Sequence, residues 1–190
     1  MPAILISRRA LAFHIAAIPL GLSAAARALG AGGTDAALAA NGDGLSHSAE
    51  AIHQEVVFNA SRRRVYRALT VARQFDAITR LSDAVDLVTA PGAKATSISH
   101  EAGGSFTLFG GYITGRSLEL LQDQRLLQAW RAASWQPGDY SLVKFALVES
   151  GPATRLVFDQ RGFPEGQGAS LAYGWRVHYW EPLAKFLSQG

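Results

Sequence analysis

The residues able to do chemistry are few. Five histidines occur, and no cysteine, so there is no thiolate nucleophile, disulfide framework or cysteine metal site. His47 lies in a Gly/Ala/Asn/Ser stretch, and His53, His100 and His178 are scattered. No H-x-x-x-H or H-E-x-x-H spacing, G-x-S-x-G elbow or glycine-rich phosphate loop is present. His100 and Glu101 are adjacent; as neighbours on a strand they would point to opposite faces and could not share a site. His178 is the best-placed candidate base. It sits beside an apolar stripe, one turn before Pro182, between Trp175 and Tyr179. A structural reading, a partly buried histidine with its bonds satisfied, stands beside that one. The run Arg62-Arg63-Arg64 opens a helix at its positive end, where cations are unfavourable. It reads as an anion or membrane contact, or as a solvated first turn.

The element that positions His178 is Leu171–Leu187, LAYGWRVHYWEPLAKFL. Leu171, Trp175, Tyr179, Leu183 and Leu187 recur every four residues, which predicts a long amphipathic helix. Pro182 inside it removes one ladder bond and predicts a bend. Ahead of it, Ile52–Phe58 reads as a strand. Ser61 caps a short helix over Arg62–Leu69, and a second short helix runs over Val71–Arg80. Alternating runs then predict strands at Thr96–Glu101, Ser105–Phe109, Tyr112–Leu121, Leu126–Ala133, Ser141–Glu149 and Thr154–Arg161, with Gly110-Gly111 as a two-residue hairpin turn. Frequent turns favour a meander. One face of nearly every strand is apolar, and the C-terminal helix is the element long enough to cover it. The fold class is therefore α+β: a curved antiparallel sheet of six to seven strands around a long C-terminal helix, with two short helices after the first strand. Such a sheet encloses space suited to an apolar ligand.

The chain has 190 residues, 48% of them hydrophobic and 17% charged, values of a globular domain. A charge of +3 and a pI near 9.5 suggest nucleic acid, but Arg8, Arg9 and Arg27 supply the excess. The other 15 basic residues match the 15 acidic ones, so no nucleic-acid footprint remains. Ser7-Arg8-Arg9 before the apolar run Ala10–Ala26, with Ala26-Arg27-Ala28 as a cleavage site, resembles a twin-arginine export signal. Leu11 and Ala12 stand where that pattern has Phe and Leu. An uncleaved membrane anchor is the alternative, but His14, Pro19 and Gly21 interrupt a run shorter than the ~20 residues a spanning helix needs. The expected organisation is a signal over 1–28, a flexible linker over 29–49 and one domain over 50–190, placed in the periplasm.

GGSFTLFGGYITGRSLEL (Gly103–Leu120), LLQAWRAASW (Leu126–Trp135), YSLVKF (Tyr140–Phe145) and GW followed by YWEPLAKFL (Gly174–Leu187) resemble the START-like superfamily, also called SRPBCC or Bet v 1-like. The closest branch is similar to the C-terminal domain of the activator of Hsp90 ATPase. No match is evident over Leu81–Ala95. The resemblance implies a helix-grip fold with a hydrophobic cavity between sheet and helix; no metal or cofactor is expected. Members bind lipids, sterols or polyketides, and a few are cyclases or hydrolases. The eukaryotic activator docks on its chaperone with the help of an additional N-terminal domain, where a signal and linker are expected in this chain. Non-enzymatic binding of a small apolar molecule outside the cytoplasm is the favoured expectation. A polyketide cyclase- or hydrolase-like enzyme using His178, and a chaperone-interaction module, are the alternatives. The candidate ligand-contacting residues are Phe106, Leu108, Trp130, Phe145, Phe158, Trp175, His178 and Tyr179. The sequence leaves open whether these line a pocket or fill a core, and Trp135 is placed at the rim.

Overall fold

The computed structural model describes residues 50–189. The expected signal and linker lie outside them. Seven strands form one antiparallel sheet: β1 Ala51–Phe58, β2 Ser97–Ile98, β3 Ser105–Leu108, β4 Ile113–Leu121, β5 Arg125–Ala132, β6 Ser141–Ser150 and β7 Ala153–Arg161. Their spatial order is β1-β7-β6-β5-β4-β3-β2. From β2 to β7 each strand pairs with its neighbour in sequence, as a meander requires. β1 closes on the last strand, with Ile52 opposite Gln160 and Phe58 opposite Thr154. Alternation decides the faces. In β6, Val143, Phe145 and Leu147 are buried, while the residues between them are half-buried or exposed. In β7, Leu156 and Phe158 face inward, opposite Arg155 and Asp159.

Helices α1 (Arg62–Thr70) and α2 (Ala72–Thr79) follow β1. The Ser61 hydroxyl accepts from the Arg64 N–H and caps α1. Val65, Ala68, Leu69, Phe75 and Ile78 are buried in the same core as the sheet residues. The C-terminal helix therefore does not cover the sheet alone: α1 packs on β6 and β7. A third short helix, α3 (Val85–Thr89), occupies the stretch where the sequence showed no pattern.

Two local expectations change. The Phe109–Gly111 connection is a 3-10 turn between β3 and β4, not a two-residue hairpin, with Gly110 at φ 68° and Phe109 buried within it. The aromatic ring prefers the core to a strand end, and the turn wraps to deliver it there. His100 and Glu101 lie in an exposed turn, because β2 ends at Ile98. They are surface residues, as the stereochemical argument preferred.

The C-terminal helix is α4 (Gly168–Trp175), a π-helical turn (Arg176–Trp180) and α5 (Glu181–Ser188). Pro182 has no N–H to donate, and the turn before it widens, with the Glu181 N–H bonding the Arg176 carbonyl. The widening also explains the repeat of four. On a regular helix of 3.6 residues per turn, a four-residue step drifts by roughly 40°. One wide turn takes up the surplus, and Trp175, Tyr179, Leu183 and Leu187 all stay buried. No helix among the described residues is long and apolar enough to cross a membrane.

Candidate functional site

The predicted residues take inward positions on five elements around one core. β3 supplies Phe106 and Leu108, β5 Trp130, β6 Phe145, β7 Phe158, and the C-terminal helix Trp175, His178 and Tyr179. All but His178 are buried; His178 is half-buried. Trp175 is the centre. Its ring lies 4.1 Å from that of Tyr179, 4.3 Å from Phe158, 5.5 Å from Trp130 and 5.8 Å from Phe145. At these separations the rings touch one another, so much of the expected cavity wall is core. Each tilted or edge-on pair adds about 0.5–1.5 kcal/mol beyond burial. The sequence set omitted Trp180, Phe75 and Phe109, which complete the cluster: Trp180 stacks at 5.5 Å on Trp175, and Phe109 meets Tyr179 at 5.2 Å and Phe75 at 5.5 Å.

Three tryptophans have dedicated glutamine acceptors. The Trp175 indole N–H donates to Gln160 Oε1 at 2.6 Å, and Gln160 Nε2 donates to Ser141 Oγ at 2.9 Å. Ser141 in turn donates to the Trp130 carbonyl. The Trp180 N–H donates to Gln54 Oε1 at 2.6 Å, while Gln54 Nε2 donates to the Ala172 carbonyl. The Trp135 N–H donates to Gln167 Oε1 at 2.7 Å, and the ring is buried against Trp130. Trp135 is thus a core residue, not a rim residue. Gln160 and Gln54 give no signal in the sequence beyond a polar residue at an inward strand position.

The fourth tryptophan differs. Trp130 Nε1 and Tyr179 Oη are both buried and make no hydrogen bond among the described residues. The Trp130 N–H is directed at the phenol closely enough to oppose the rise in its pKa, without closing to hydrogen-bond geometry. Burial dominates and pushes the Tyr179 phenol well above its ordinary 10.0. A buried donor and a buried hydroxyl left without partners cost free energy that an incoming polar atom would recover.

His178 stands at the edge of this cluster, its ring 6.5 Å from Phe109. Burial holds its pKa below the ordinary 6.5, against an opposing pull from Asp83. The unfolded chain thus binds a proton near pH 6.5 that the folded chain accepts only at lower pH. Stability is full above that window and falls as pH drops through it. Replacing His178 by Gln is expected to reduce the loss between about pH 7.5 and about pH 5.5 in denaturant titrations; an unchanged loss would remove His178 as its source.

Two clefts open on the described surface, and both lie against α1 rather than between helix and sheet. One of about 320 Å³ is bounded by Arg64, Arg67, Gln74, Phe186 and Leu187. The other, about 360 Å³, lies between α1 and the β4–β5 turn. No group of three or more His, Asp or Glu among the described residues is arranged to hold a metal ion.

Comparison with known proteins agrees with this architecture. Over 133 residues the chain is 24% identical to the mouse activator of 90 kDa heat shock protein ATPase homolog 1, covering 70% of this chain and 36% of that protein. The human homologue gives 23% over the same length. The chain thus spans about a third of the curated relatives it matches. Among solved structures, an HSP90 activator from Plasmodium falciparum superposes with a TM-score of 0.61 at 20% identity, covering 73% of this chain and 96% of that one. CalU16 from Micromonospora echinospora gives 0.56 at 20% identity, covering 73% and 76%. These likenesses carry the Bet v 1-like helix-grip fold. A family model matches residues 59–188, most of the described domain, and by it the chain belongs to the activator of Hsp90 ATPase homolog 1-like protein family.

Proposed function

We propose that the domain binds a small, largely apolar molecule between the sheet and the C-terminal helix, and does so outside the cytoplasm. The observation that carries this reading is the unpartnered pair Trp130 Nε1 and Tyr179 Oη, in a core whose other three tryptophans are each matched to a glutamine. One acceptor atom on an apolar molecule would take the indole N–H, and the phenol would supply a second hydrogen bond. Phe109, in ring contact with Tyr179, offers apolar contact on the same side. Entry is past half-buried His178, where the π turn gives the helix a weaker ladder than a regular α-helix has. The rings now in contact have to part to admit a ligand, so the binding form is a rearranged one. The export half of the proposal rests on Arg8, Arg9 and the apolar run after them.

Native mass spectrometry of the protein recovered from the periplasmic fraction of its own cells tests both halves. A reproducible adduct of lipid-like mass is expected, and its occupancy should fall several-fold in Tyr179→Phe and Trp130→Phe chains that still fold. No adduct in any preparation would sink the binding proposal. Recovery of the unprocessed chain from the cytoplasm alone would sink the export proposal.

A second reading has its own observation. The ring-filled centre suits a module that acts through its surface, and Val57 and Val148 flank Arg155 as an exposed row on the outer sheet face. The matched relatives are named as activators of a heat shock protein ATPase. Co-purification of an Hsp90-type chaperone, lost on Val57→Glu/Val148→Glu substitution, would favour this reading over the first.

A further inference from the structure

The arginine run that opens α1 is divided by the fold. Arg62 pairs with Glu149 at 3.2 Å. The side chains of Arg63, Arg64 and Arg67 make no hydrogen bond, ion pair or ring contact among the described residues. Elsewhere most arginines are matched: Arg80 to Asp76, Arg125 to Glu119, Arg155 to Glu55 and Arg176 to Glu181. The first turn of α1 contains no acidic residue, so nothing offsets these charges at the helix's positive end. Arg63 and Arg67 are four residues apart, hence on one face, and repel each other.

That face borders the cleft of about 360 Å³ between α1 and the β4–β5 turn. Tyr66 lies between the two arginines on the same wall, and His100 contributes from the β2–β3 loop. Val71 and Leu120 give the cleft an apolar part. The Tyr66 hydroxyl makes no hydrogen bond among the described residues. Asp123 on the β4–β5 turn is the single acid at the cleft; burial, and after it Asp123, hold the Tyr66 phenol protonated, ready to donate. Two guanidinium groups against one carboxylate leave the cleft positive. The guanidinium fork matches a tetrahedral oxyanion in two-point contact. The volume falls within the ~300–1,000 Å³ range of small-molecule sites.

We infer that this cleft is a binding site for a phosphate-class oxyanion attached to a small apolar group, held by Arg63, Arg67 and the Tyr66 hydroxyl. It is separate from the space between sheet and helix and does not depend on that space being occupied. A soluble phosphomonoester and a phospholipid headgroup both present this chemistry.

Phenyl phosphate is the probe for the soluble source, and vesicles of phosphatidylcholine with about one third phosphatidylglycerol are the probe for the lipid source. In the full chain, phenyl phosphate is expected to bind saturably and to shift the amide resonances of α1 and of Gln122–Asp123. R63Q/R67Q should weaken this at least tenfold. Arg73→Gln, which removes another exposed unpaired arginine on α2, should leave it unchanged. Tyr66→Phe, which keeps the packed ring, should weaken it without altering the fold, and serves if the double variant does not fold. Vesicle binding with the same dependence on Arg63 and Arg67, in the absence of phenyl phosphate binding, assigns the source to a headgroup. Failure of both probes, or equal weakening by Arg73→Gln, overturns the inference.

Discussion

Trp175→Ala is expected to cost about 3–5 kcal/mol of folding stability, the range for removing a large buried aromatic. The ring is 2% exposed and touches Trp130, Phe145, Phe158, Tyr179 and Trp180, so no single neighbour can collapse into the space it leaves. The variant also strands Gln160 Oε1, a fully buried acceptor whose partner is the Trp175 N–H. Against a total of about 5–15 kcal/mol for a domain of ordinary stability, that loss leaves a marginally folded chain at best. Chemical denaturation followed by near-ultraviolet dichroism reads it directly. Gln160→Leu separates the two contributions. It keeps the ring but orphans the Trp175 N–H, while the Ser141 hydroxyl loses one donor and keeps its bond to the Trp130 carbonyl; about 1–3 kcal/mol is expected from the unsatisfied indole. A Gln160→Leu chain as stable as the parent would mean that the glutamine bridges orient the helix without stabilising it.

The second large effect is expected at Gly115, in the middle of β4. It sits opposite Phe106 on one side and Trp130 on the other. A Cβ there would stand well inside van der Waals distance of the Ala129 carbonyl oxygen and the Phe106 ring. The Phe106 ring lies over the glycine, and its space exists only because no side chain stands beneath it. Gly115→Ala is expected to destabilise by about 3 kcal/mol, the upper end of the overpacking range, because the obstruction is backbone as well as ring. Thermal unfolding of the variant, with amide exchange on β3 and β4, would locate the damage at the far end of the sheet. Protection retained in β6 and β7 is the companion expectation, since their pairing does not involve Gly115. A Gly115→Ala chain with parental stability would show that β4 and β5 can part by several tenths of an ångström at little cost.

Both predictions rest on positions whose importance the sequence showed only in part. Trp175 stood out because it belongs to a four-residue apolar repeat, and that periodicity needs no tertiary information. The same holds for β6 and β7, where strict alternation separates Val143, Phe145 and Leu147 from Lys144, and Leu156 and Phe158 from Arg155. Gly115 had no such mark. Its requirement arises from Phe106, nine residues earlier, and from Ala129 on the next strand, and only the register joins the three. The short helix Val85–Thr89 was likewise unreadable, being too brief for a period of 3.6 to declare itself.

The amino-acid sequence by itself determined the order of the strands and the longer helices, the inward and outward faces of the strands, the buried stripe of the terminal helix and the superfamily, because these follow from local periodicity and from motifs that survive in linear order. Tertiary structure alone decided whether the aromatic residues line a space or fill it. That question depends on ring-to-ring distances across five elements, and the answer is contact, with Trp175 at the centre. It also decided which tryptophan is left over. Trp175, Trp180 and Trp135 find Gln160, Gln54 and Gln167 at separations of 15, 126 and 32 residues, pairings that closure of the sheet creates and that no local pattern encodes. Trp130 finds none, and it is left facing Tyr179 because the π turn before Pro182 holds the helix's buried side in register with the sheet.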